Sequence, residues 1–103
     1  MHHKIAADNS SGITAHKGDT IEVQLDETPT AGYSWEIDSL DNNILELQSS
    51  DYKLYEGAGV GGGGLRTMFF LVKNTGNGKI KLKNAQRWSG DVYKQVEIGV
   101  NVQ

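Results

Sequence analysis

Thr20-Ile21-Glu22-Val23-Gln24-Leu25 alternates polar and apolar side chains at every step. Successive residues of a strand point to opposite faces, so Ile21, Val23 and Leu25 share one side of it. The same period of two recurs along the chain: Trp35 with Ile37, Ile44 or Leu45 with Leu47, Met68 with Phe70 and Val72, Ile80 with Leu82, and Val96 with Ile98, Val100 and Val102. No stretch carries the i, i+3, i+4, i+7 stripe of an amphipathic helix. Turn-forming clusters separate the alternating runs: Lys17-Gly18-Asp19, Thr28 to Gly32, Leu40-Asp41-Asn42-Asn43, Gly57 to Gly64, and Asn74-Thr75-Gly76-Asn77-Gly78. The last of these reads as a hairpin turn, because Gly and Asn accept positive φ. With a weak first strand within residues 4–14, the pattern predicts an all-β chain, an immunoglobulin-like antiparallel β-sandwich of seven or eight strands. The Cys-Trp-Cys hallmark of true immunoglobulin domains is missing, so the expectation concerns architecture and not membership.

The chain has 103 residues, with 10 Lys and Arg against 13 Asp and Glu, and no Cys. That length supports one core, and residues 1–103 are expected to form a single domain. A net charge of −3 offers no basic patch for phosphate backbones or anionic lipid, which argues against nucleic-acid and membrane partners. Without cysteine there is no disulfide framework, thiolate metal site or thiol nucleophile, and neither a metal nor another cofactor is expected. No apolar run approaches the roughly 20 residues of a membrane helix. Met1-His2-His3 reads as a frayed end and not as a metal site. Asn9-Ser10-Ser11 fits the glycosylation sequon, a triplet that chance produces often.

Three connections carry more than a turn requires. Glu56-Gly57-Ala58-Gly59-Val60-Gly61-Gly62-Gly63-Gly64 matches G-x-G-x-x-G twice. A phosphate cradle, however, needs a helix after it, and the strand-like Leu65-Arg66-Thr67-Met68-Phe69-Phe70 follows. What remains is either a plain connector or a bare backbone open to pairing with another molecule. Thr28-Pro29-Thr30-Ala31-Gly32-Tyr33 holds the only proline, which fixes its own φ and restricts Thr28, while Gly32 permits a sharp reversal. A short rigid tip is expected, followed by Tyr33 and Trp35 on one face of the next strand, with Trp35 in the core. In Gln86-Arg87-Trp88-Ser89-Gly90-Asp91 a tryptophan stands in a polar, turn-like setting. Trp88 there is either a plug closing the end of the sandwich or an exposed anchor of the kind found in interfaces.

At these three connections the sequence resembles the chagasin family of cysteine-protease inhibitors. That family carries an Asn-Pro-Thr-Thr-Gly-Tyr/Phe loop, a Gly-x-Gly-Gly loop and an Arg-Pro-Trp loop, in that order, on an immunoglobulin-like sandwich. Thr28-Pro29-Thr30-Ala31-Gly32-Tyr33 is similar to the first. The second matches either Gly59-Val60-Gly61-Gly62 or Gly61-Gly62-Gly63-Gly64, and the third is similar to Gln86-Arg87-Trp88. Order and intervening strands agree over nearly the whole chain. Thr28 replaces Asn, Ala31 replaces the second Thr, and the third loop lacks Pro.

The resemblance implies reversible, non-covalent, tight-binding competitive inhibition of papain-like proteases, cathepsin-L-like or similar, by a chain that is monomeric when free. Thr28 to Gly32 would enter over the catalytic Cys-His pair, with Thr30 and Ala31 nearest the centre. Gly59 to Gly64 would grip the unprimed side, and Gln86, Arg87 and Trp88 the primed side. The residue chemistry suits those roles: a rigid tip limits the ordering cost of binding, bare glycines permit backbone pairing, and an indole offers a large stacking surface.

Two other classes of function compete with this one. An enzyme would need catalytic groups, and the chain has no G-x-S-x-G, no H-E-x-x-H, no Cys and a single internal histidine, His16. A carbohydrate- or protein-binding adhesion module would also use an exposed Trp88 and tyrosines on a sandwich. Such a module would leave the activity of papain unchanged.

Overall fold

The computed structural model describes residues 1–6, 10–28, 32–57 and 63–103. Within them the alternating stretches form eight strands: β1 (His2–Ala6), β2 (Ser11–Ala15), β3 (Thr20–Glu27), β4 (Tyr33–Leu40), β5 (Leu45–Leu54), β6 (Gly64–Val72), β7 (Gly76–Gln86) and β8 (Val92–Val102). They make two four-stranded sheets, ordered β1-β3-β6-β5 and β2-β8-β7-β4. The inward faces carry the side chains that the period of two selects. Ile21, Val23, Leu25, Phe70, Val72, Ile80, Leu82, Val96, Ile98 and Val100 are buried with Trp35, Leu45 and Met68 in one core.

Four expectations are corrected. The weak first strand is two strands, one in each sheet, and both pair in parallel: β1 with β3, and β2 with β8. The sandwich is therefore not wholly antiparallel. His2 and His3 belong to β1, opposite Thr20 and Ile21, and do not form a frayed end. The Asn74–Gly78 segment is not a hairpin turn, because β6 and β7 lie in different sheets. Its glycines answer to packing: a Cβ on Gly78 would lie 3.0 Å from Ile44, so the absence of a side chain lets the start of β7 approach Ile44. Leu47 departs from the alternation as well, being more than one-third exposed where a bulge shifts the β5–β6 register between Leu47 and Ser49. Of the sequon, Asn9 lies outside the described residues, while Ser11 lies in β2.

The register decides which connections share an end. In one sheet Glu27 pairs with Gly64, and Gly64 with Leu54. In the other Tyr33 pairs with Gln86, and Ala85 with Val92. The β3–β4, β5–β6 and β7–β8 connections therefore leave their sheets at the same end of the sandwich.

Candidate functional site

The base of this end is built on one carboxylate. Glu27, the last residue of β3, is buried, and its Oε1 accepts the Trp35 backbone N–H at 2.7 Å. The Arg66 guanidinium donates to both its oxygens, Nε to Oε1 at 3.1 Å and Nη2 to Oε2 at 2.8 Å. Such a planar fork matches a carboxylate in two parallel bonds. One side chain thus ties the strand entering the Pro29 connection to the strand leaving it, and both to β6, which leaves the glycine connection. Other bonds brace the same corner. The Trp35 indole N–H donates to the Asp26 carbonyl at 2.7 Å, and Tyr52 donates its hydroxyl to the Glu27 carbonyl at 3.3 Å. The Arg66 guanidinium carbon sits 5.4 Å from the centre of the Tyr52 ring, within cation–π range. Tyr55 donates its hydroxyl to Asp26 Oδ1, and that carboxylate holds the phenol above its ordinary pKa.

Above this base the connections touch. Gly32 has a φ of 80°, a backbone region that glycine enters without steric cost. A Cβ on it would overlap Cη2 and Cζ3 of Trp88, so the indole lies directly against the exit of the Pro29 connection. Trp88 is nonetheless 72% exposed, which decides against the core-plug alternative and for the exposed one. Its presentation follows from the local turn. The Gly90 N–H donates to the Gln86 carbonyl at 2.8 Å, the Gln86 N–H donates to the Asp91 carbonyl at 2.8 Å, and Gly90 takes the positive φ that closes the reversal. Arg87 and Ser89 are exposed beside the indole.

The glycine connection closes through the Tyr55 N–H, which donates to the Gly63 carbonyl at 3.2 Å. A Cβ on Gly63 would lie 3.0 Å from Thr28 Oγ1 and 3.4 Å from the Glu27 carbonyl, so this connection runs alongside the first. Gly64 differs from its neighbours in the run. It is a buried residue of β6, and a Cβ there would collide with the Lys53 carbonyl and with the Tyr52 hydroxyl, at 2.6 Å.

The structure thus brings together Thr28, Gly32, Gly63, Gln86, Arg87 and Trp88, and sets Gly64 beneath them. Pro29, Thr30, Ala31, Gly59, Val60, Gly61 and Gly62 lie outside the described residues. Sequence reasoning missed Glu27 and Arg66. Glu27 occupies an inward position in continuation of Ile21, Val23 and Leu25, and a charged residue in phase with an apolar face is the signal that marks it. Among the described residues no group of three or more His, Cys, Asp or Glu side chains is placed to hold a metal ion.

A sandwich that gathers three connections at one end, with the exposed indole of one packed against the exit of another, offers a loop surface of the kind used in recognition. The chain belongs to the chagasin family of peptidase inhibitors: the model of the chagasin family peptidase inhibitor I42 matches residues 14–102. Proteins of that family are protease inhibitors and not enzymes. The chain is 32% identical over 99 residues to Amoebiasin-1 of Entamoeba histolytica, covering 92% of this chain and 93% of that one. The crystal structure of EhICP2, a cysteine protease inhibitor from Entamoeba histolytica, superposes with a TM-score of 0.87 at 20% identity, covering 100% of this chain and 97% of the other. PbICP-C, solved in complex with falcipain-2, shares the fold with a TM-score of 0.69 at 16% identity, covering 99% of this chain and 98% of the other.

Proposed function

We propose that residues 1–103 act as one inhibitor domain that blocks papain-like cysteine proteases reversibly and without a covalent bond, by filling the catalytic cleft with the three connections. The observation that carries this reading is the contact of Gly32 with an exposed Trp88, which joins two of the family-like loops into one continuous surface. In this mode Thr28 to Gly32 enters over the catalytic Cys-His pair, the glycines from Gly59 to Gly63 lie on the unprimed side, and Gln86, Arg87 and Trp88 lie on the primed side. Gly64 acts from below, by letting β5 and β6 close tightly under the glycine connection.

Blocking a cleft by shape requires that the inhibitor arrive already ordered, since every side chain or loop immobilised on binding subtracts from affinity. The Glu27–Arg66–Trp35 network supplies that order at the loop base. The chain itself needs no reactive group, and alkylation of the protease cysteine weakens binding only so far as the alkyl group obstructs Thr30.

Titration of papain and of a cathepsin-L-like enzyme with the protein tests the reading. The expected result is tight, substrate-competitive inhibition that reverses on dilution, retained binding to alkylated papain, and no effect on trypsin or a metalloprotease. Unchanged papain activity would return the protein to the adhesion-module class, and comparable inhibition of trypsin would remove the basis in cleft shape.

A further inference from the structure

Next to the proposed interface lies a second aromatic group that none of the three family-like loops contains. The β7–β8 register slips between Asn84, which faces Lys94, and Ala85, which faces Val92, leaving Tyr93 as an extra residue in β8. A bulge of this kind re-aims the side chain it carries. Tyr93 is 75% exposed, the neighbouring Val92 is 45% exposed, and the Tyr93 ring meets Tyr33 edge to face with centroids 6.1 Å apart. Gly32 and Tyr33 are consecutive, so adjacent residues at the exit of the Pro29 connection carry the two aromatics of the β7–β8 hairpin: Gly32 lies under Trp88 and Tyr33 beside Tyr93.

We propose that Tyr93, braced by Tyr33, is a further protease-contacting residue, seated on an apolar wall of the papain-like enzyme outside the catalytic cleft, on the side where Trp88 docks. The inference rests on the inhibitory reading above. Two considerations favour this occupant. Stable protease–inhibitor interfaces bury about 800 Å² per partner, roughly 20–30 residues, and loops made largely of glycine and short side chains supply little of that area. The surface continuous with Trp88 that can supply more is the Tyr93–Tyr33 pair, and tyrosine is enriched in interfaces because its rigid ring loses little entropy on binding.

Association and dissociation rates of wild type, Tyr93→Ala and Tyr93→Phe with papain and a cathepsin-L-like protease, with a thermal melt of each, test the proposal. Tyr93→Ala is expected to weaken binding to at least one enzyme by roughly tenfold, mainly through faster dissociation, with its melt close to wild type. Tyr93→Phe keeps the ring and retains most of the affinity. If wild type inhibits both enzymes and Tyr93→Ala binds both equally well, the Tyr93 contact is overturned while the inhibitory reading stands. If wild type inhibits neither, both fall together. A Tyr93→Phe variant as weak as Tyr93→Ala would overturn the ring contact in favour of a hydroxyl contact.

Discussion

Trp88 and Gly32 form a pair in which each residue explains the other. The indole stays exposed because it stands on the turn from Gln86 to Gly90, and it can lie against the chain at Gly32 because Gly32 has no side chain to displace it. Truncating Trp88 therefore removes binding surface without opening a cavity. Trp88→Ala is expected to weaken papain inhibition roughly 30-fold or more, with a melting temperature near wild type, read by inhibition assay and calorimetry. An unchanged inhibition constant would refute the anchor role. Gly32→Ala strikes the same pair from the other side. It forces a Cβ into a φ of 80° and into the indole ring, so lost inhibition should accompany a stability loss of about 1–3 kcal/mol in urea denaturation.

Between strands, the Glu27–Arg66 ion pair does what a turn sequence cannot do alone, since it fixes the relative position of β3, β4 and β6 where their connections begin. The Glu27 side chain is 1% exposed and that of Arg66 18%, so removing either partner strands a charge in a site with little water. Glu27→Ala and Arg66→Ala are each expected to destabilise the fold by about 3–5 kcal/mol, with the double variant costing less than their sum. Additive losses in a double-mutant cycle would show that the two do not act as a pair. At Gly64 the strands themselves are at stake. A methyl group there meets the Lys53 carbonyl, which belongs to β5 and cannot retreat without loosening the β5–β6 ladder. Gly64→Ala should accordingly lower the melting temperature by several degrees, and any loss of inhibition should follow from that loosening. An Ala variant as stable as wild type would mean that β5 yields easily.

Across the whole molecule, the end opposite the three connections is closed by Asp19. This buried carboxylate accepts from His3 Nε2 at 2.8 Å, from the Met1 ammonium at 2.9 Å and from the His16 backbone N–H at 2.9 Å, joining β1 to the turn before β3. The His3 bond, then the ammonium, hold its pKa well below the usual carboxylate range. A carboxylate depressed in the folded state releases its proton more readily there than in the unfolded chain. Its stabilisation is complete above the unfolded pKa of about 3.9 and declines as pH falls from there toward the folded pKa. Melting temperature measured from pH 5 down to pH 2 should fall more steeply for wild type than for Asp19→Asn, the variant being less stable at pH 5 and the two converging in acid. Parallel curves would show that Asp19 does not link acid to unfolding.

The two-residue period by itself determined that this chain is all-β, with a core that includes Ile21, Val23, Leu25, Phe70 and Ile98, because alternation is a local property of a strand and burial of one face follows from it. The order of Pro29, the glycine run and Trp88 was equally legible, and with it the family. Only the tertiary structure decided which strands share a sheet, since pairing partners far apart in sequence leave no local mark: β1 and β2 went to different sheets, and Asn74–Gly78 became a crossing between sheets followed by the first residues of β7. It also decided that Trp88 faces outward, that Glu27 finds its counter-charge thirty-nine residues away in Arg66, and that Tyr93 stands exposed on a bulge beside Tyr33. Each of these depends on which atoms of a distant segment occupy the neighbouring space, and that is fixed only when the two sheets close on one another.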